Sequence, residues 1–93
     1  MASKSSKSGG LGVATFLRDF TPQMALYKIS PAIRGHHHVI ASVAHNTRGR
    51  VETMVFLADR RGDIAFYDPL VTLLGRDDHR RALLDLGYAL EDR

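Results

Sequence analysis

"LGVATFLRDFTPQ", residues 11–23, is the stretch on which the fold turns. Val13, Phe16, Leu17 and Phe20 stand at i, i+3, i+4 and i+7, the spacing of one helical face, and Pro22 stops the pattern. The spacing predicts an amphipathic helix of two turns. A helix so short is marginal alone in water and must dock, either on its own core or on a neighbouring chain. Phe16, Leu17 and Phe20 are therefore candidate partner contacts. The ten residues before Leu11 are almost entirely Ser, Lys and Gly. They have nothing to bury and read as a flexible tail, leaving residues 11–93 as one small domain.

Beyond Pro22 the period changes from helical to alternating. "MALYKIS", residues 24–30, places Ala25, Tyr27 and Ile29 on one face and Met24, Leu26 and Lys28 on the other. "HVIASVAH", residues 38–45, is apolar on both faces, as a central strand should be, and "VETMVFLA", residues 51–58, is similar. Asn46 and Gly49 supply the turn between these two. Asp59 and Gly62 then open and close a tight hairpin leading into a short fourth strand over residues 63–67. Next come two helix signatures: Asp68-Pro69 before Leu70, Leu73 and Leu74, stopped by Gly75, and an Asp77 cap before Ala82, Leu83 and Leu86, stopped by Gly87. Tyr88 and Leu90 would fold back. The fold expected is α+β, an antiparallel β-meander of three to four strands with helices packed on one face, in the order α-β-β-β-β-α-α. The strands over Met24–Ser30 and Ile64–Tyr67 would be its edges, and either offers a homodimer contact across a two-fold axis.

With 44% hydrophobic and 25% charged residues the composition is that of an ordinary globular domain. Cysteine is absent, which excludes disulfides and thiolate zinc sites. No stretch approaches the roughly 20 apolar residues of a membrane helix, and the start lacks a signal-peptide core. A cytoplasmic location is the expectation. The formal net charge of +3 is unevenly spread. Residues 24–61 hold six basic against two acidic side chains, whereas residues 62–93 hold four against seven.

Three consecutive histidines, His36, His37 and His38, invite a metal or acid–base interpretation. In an extended chain His36 and His38 share one face and His37 points away. A structural zinc needs four ligands and a catalytic one three. His45 lies seven residues from His38, roughly 20 Å at strand rise, so no metal site or cofactor is expected. Neither a Cys nucleophile nor a G-x-S-x-G elbow is present, and "KSGGLG" does not follow a strand as a phosphate loop would. The chain is expected not to be an enzyme. Arg61-Gly62-Asp63 spells an integrin-binding tripeptide, but the hairpin turn accounts for Gly62 and Asp63.

In a meander the first and third connections lie at the same end of the sheet. Arg34, His36 and His37 should therefore share an end with Arg60 and Arg61, while Arg48 and Arg50 occupy the opposite one. The expected contact is an acidic partner, either a protein patch or a phosphate backbone. A nucleic-acid surface would interleave aromatics with its charge, and Tyr27, Phe56, Phe66 and Tyr67 fall within strands where core packing claims them.

"YKISPAIRGHHHVIASVA", "ETMVFLADRRGDI" and "DDHRRALLDLGY", within residues 27–88, resemble small accessory proteins of actinobacterial phages. The shared features are a strand ending in Ser-Pro, a central Val/Ile strand, a Glu-Thr strand with an Asp-x-x-Gly turn, and a helix closing in Leu-Gly-Tyr. The resemblance implies binding and redirecting a host protein, and it brings no catalytic residue. The expected function is a non-enzymatic interaction protein acting on a host or neighbouring protein. The alternative is a nucleic-acid-binding accessory factor that uses the basic sheet end and the basic tail.

Overall fold

The computed structural model describes residues 11–91, so the tail over residues 1–10 lies outside the described residues. The chain forms strands β1 (Gly12–Thr21), β2 (Met24–Ile33), β3 (His36–His45), β4 (Val51–Ala58) and β5 (Val71–Leu74), helix α1 (His79–Leu86) and strand β6 (Tyr88–Glu91). The six strands make one sheet in the order β5-β4-β3-β2-β1-β6. Neighbours are antiparallel except β1 and β6, which run parallel. The α+β class stands, but the expected α-β-β-β-β-α-α meander does not: the sheet is mixed and larger, and one short helix covers it.

The largest departure is at residues 11–23, which form a strand. Gly12, Ala14 and Phe16 alternate inward, and Gly12 lacks a side chain where Tyr88 packs. A Cβ on Gly12 would come within 2.6 Å of the Tyr88 ring and the Ser30 carbonyl oxygen. The helix-like spacing arises from irregularities in the β1–β2 register. Phe16 pairs with Tyr27 and Arg18 with Leu26, then Asp19 pairs with Ala25 and Thr21 with Met24. Leu17 and Phe20 are the extra residues at these bulges. Each bulge resets the strand's phase and bends it.

The segment at Asp68-Pro69 also departs from its expected form. Between Pro69 and Gly75 too few residues remain for a stable helix, Val71 and Thr72 are β-branched, and the rim of β4 offers backbone partners. Leu70 N–H donates to Val55 O, and Val71–Leu74 pairs with Glu52–Val55. The expected strand over residues 63–67 shrinks to a bridge between Ile64 and Ala58, after which residues 66–69 leave the sheet. Pro69, which has no N–H to donate, suits such a loop rather than a ladder. The edges of the sheet are consequently β5 and β6; Met24–Ser30 lies inside it, between β1 and β3.

Strands β2 to β4 and helix α1 stand, but β2 runs past Pro31 to Ile33 instead of ending at Ser30, and β3 begins at His36, so His36 and His37 lie in the strand and not in the connection before it. Arg34 and Gly35, both at positive φ, close a two-residue turn that lets Ile33 pair with His36. The alternating faces of β2 fall into separate clusters: Ala25, Tyr27 and Ile29 join Val39, Ala41, Val55, Leu57, Ala82 and Leu83 beneath α1. Leu26 joins Ile40 and Ala58 on the other face, with Met24 and Ile64 against them. Helix α1 begins one residue later than expected, with Asp78 as its N-cap accepting from Arg81 N–H, and ends at left-handed Gly87. Thr53, fully buried, fixes its approach: the hydroxyl donates to Arg76 O at 2.6 Å and accepts from Asp78 N–H at 3.0 Å. After Gly87 the chain docks as β6 on β1, and Tyr88 Oη donates to Pro31 O at 2.6 Å.

Candidate functional site

The register gathers one group of basic residues at one end of the sheet. Lys28 on β2, His38 on β3 and Ala58 on β4 are cross-strand neighbours. The β2–β3 turn at Arg34-Gly35 and the β4–β5 connection that starts at Asp59 both emerge beyond that row. Arg34, His36, His37, Arg60 and Arg61 therefore share an end, as the order of strands implies. The β3–β4 turn carrying Arg48 and Arg50 lies at the other end.

The histidines alternate as an extended chain requires: His36 and His38 are half-buried and His37 is exposed. His36 meets the ring of Phe66 edge-on, with centroids 5.6 Å apart. The pKa of His38 is lowered, first by burial and then by the charges of Lys28 and His37. Arg60 acts in the same sense and Asp59 against it. Protonation of His38 is thus disfavoured by a setting already rich in positive charge.

Asp59 is occupied by its own turn. Its Oδ1 accepts from Arg61 N–H at 2.8 Å and Asp63 N–H at 3.0 Å. The backbone bond from Asp63 comes first among the causes holding its carboxyl below the ordinary 3.8, followed by the Arg61 amide and the Arg61 charge. Its electron pairs stabilise the hairpin while Arg60 and Arg61 project from it, exposed.

The three apolar candidates near the N-terminus separate. Phe16 packs into the core against Tyr27, edge-on at 5.9 Å. Leu17 is exposed at its bulge. Phe20, aimed by the second bulge, lies against Gly62, where an added Cβ would overlap its ring. Arg18 covers Phe20 at 4.8 Å from the ring centroid, and its Nη2 donates to Arg61 O at 3.1 Å. The end of β1 therefore curls onto the Asp59–Asp63 hairpin, and Phe20 joins the basic end whereas Phe16 and Leu17 do not.

Sequence reasoning missed Arg18, Lys28, Phe66 and Tyr67. Lys28 would have emerged from the register of its strand against the histidine strand. The sequence pattern places Phe66 and Tyr67 in a strand, yet they are 46% and 78% exposed in the loop before Pro69. Arg18 could not be found without the bulge that turns it.

His79 has a different role. Its Nε2 faces Gln23 O at 3.1 Å and must donate there, since a carbonyl oxygen only accepts. In the neutral ring Nδ1 then accepts from Tyr27 Oη, also at 3.1 Å. Burial, and secondarily the charge of Asp19, raises the Tyr27 pKa, so this hydroxyl remains a donor. Both ring nitrogens are engaged, tying the start of α1 to β2 and to the turn before it. Among the described residues no three His, Cys, Asp or Glu side chains are grouped to hold a metal ion. No described helix is long and apolar enough to cross a membrane.

No family model, curated protein or solved structure matches the chain.

Proposed function

We propose that this chain is a non-enzymatic protein-binding module whose contact surface is the sheet end formed by Arg34, His36, His37, Arg60 and Arg61, extended by Phe20, Phe66 and Tyr67. The observation that carries this reading is the exposure of Phe66 and Tyr67 in the same connection as Arg60 and Arg61. Aromatic and arginine side chains together are the residues that dominate protein interfaces. The connection also carries Asp63 and Asp68, both exposed. Interleaved charge of both signs suits a protein patch better than a phosphate backbone, which an aspartate repels. The partner surface is predominantly acidic with an apolar centre. The resemblance to small accessory proteins of actinobacterial phages fits a role in binding and modulating a host protein inside the cell.

A second reading has one specific observation in its favour. Exposed aromatic rings beside histidine and arginine side chains are also the equipment for stacking single-stranded nucleic acid. Capture from a nuclease-treated actinobacterial lysate, washed at moderate salt, separates the two. The expected result is one dominant protein retained. Nucleic acid held only before nuclease, in a salt-sensitive manner and without a protein, would replace the first reading by the second.

A further inference from the structure

The end of the sheet opposite the basic aromatic surface holds a cleft of about 470 Å³ between the β3–β4 turn and the end of β5. That volume lies within the roughly 300–1,000 Å³ typical of small-molecule sites. Asn46 makes its rim rigid. Its Oδ1 accepts from Arg48 N–H at 2.9 Å and Arg50 N–H at 3.0 Å, and its Nδ2 donates to Glu52 at 3.2 Å. Gly49 N–H and Gly75 N–H are likewise committed, to Asn46 O and Val51 O. The amides of Arg48, Gly49, Arg50 and Gly75 are thus spent on holding the rim's shape, and a ligand would be read chiefly by side chains.

Two of those side chains are Arg48 and Arg50, and neither guanidinium has a partner among the described residues. The acid that lines the cleft, Glu52, is engaged by Asn46. Leu74 forms an apolar wall and is left 70% exposed, with Val51 beside it. Guanidinium forks match the oxygens of a phosphate or carboxylate in pairs, and an uncovered leucine beside them offers contact to a hydrocarbon body.

We propose that this cleft is a binding site for a small organic anion, with Arg48 and Arg50 holding a phosphate or carboxylate and Leu74 and Val51 packing against its apolar body. The site is separate from the protein-binding surface, and its occupancy does not require that surface.

The test is titration of the full chain with phenyl phosphate, benzoate and inorganic phosphate, followed by backbone amide NMR. Saturable shifts confined to residues 46–52, 74 and 75 are expected with phenyl phosphate or benzoate, and the stronger of the two identifies the headgroup. R48Q/R50Q should weaken binding about tenfold or more, the scale of losing charged hydrogen bonds, and L74S should weaken it separately. Both variants change exposed side chains, and a dispersed amide spectrum checks that each folds. Absent or unsaturable shifts, equal affinity in R48Q/R50Q, or inorganic phosphate binding as tightly as phenyl phosphate would overturn the assignment.

Discussion

Thr53 shows how one hydroxyl can set the position of a helix. Fully buried, it satisfies both Arg76 O and Asp78 N–H where the chain turns into α1. Valine has nearly the same shape but can do neither. Thr53→Val should cost about 1–3 kcal/mol, the penalty for leaving buried partners unsatisfied, read as a lower urea midpoint with unchanged slope. An unchanged midpoint would mean that water replaces the hydroxyl. His38 sets a pH dependence whose sign follows from its environment. Its folded pKa lies below 6.5, so in the window between that value and 6.5 the unfolded chain binds the additional proton. This contribution to stability is complete above 6.5 and is lost as pH falls through the folded pKa. His38→Gln should flatten the urea midpoint against pH across that window; an identical slope in the variant would contradict it.

Among the elements, β1 is the one whose form changes the most. On a helix Phe16 and Leu17 would lie on the same buried face, whereas on the bulged strand Phe16 enters the core and Leu17 does not. Phe16→Ala should therefore cost roughly 2 kcal/mol, below the range for a fully buried phenylalanine, and Leu17→Ser should stay within about 0.5 kcal/mol. Comparable losses at both positions by urea unfolding would contradict the strand. The difficulty of reading this element has a physical basis. Its first inward positions hold Gly12, kept small by Tyr88, and Ala14, so the hydrophobic pattern falls on outward Val13, inward Phe16 and the two bulge residues instead. The same holds at β5, where Asp68-Pro69 imitates a helix start but the free edge of β4 supplies better backbone partners. The elements whose type is read correctly are β2 to β4 and α1; β3, β4 and α1 keep an unbroken period with glycine or Asx residues at or near their ends, while β2 alternates cleanly only as far as Lys28, beyond which its register with β3 shifts. The parallel pairing of β6 with β1 joins residues so distant in sequence that no local signal marks it.

For the molecule as a whole, antiparallel connectivity sorts charge to the two ends of the sheet, and this much of the candidate site was legible. Once β2, β3 and β4 alternate in direction, Arg34, His36 and His37 must lie with Arg60 and Arg61, and Arg48 and Arg50 must lie away from them. What could not be read was the curl that brings Arg18 and Phe20 onto the Asp59–Asp63 hairpin, because it depends on the bulges. Two ends with basic residues provide an internal control for net charge. Reversal of Arg60 and Arg61 removes the cations of the proposed contact, while reversal of Arg48 and Arg50 changes the total charge equally at the far end. The measurement that bears most directly on the proposed function is therefore the retention of the captured partner by R60E/R61E and R48E/R50E chains, side by side at one salt concentration. The expected result is loss of the partner by R60E/R61E and full retention by R48E/R50E. Equal retention by both, or equal loss from both, would contradict a contact at the histidine-bearing end.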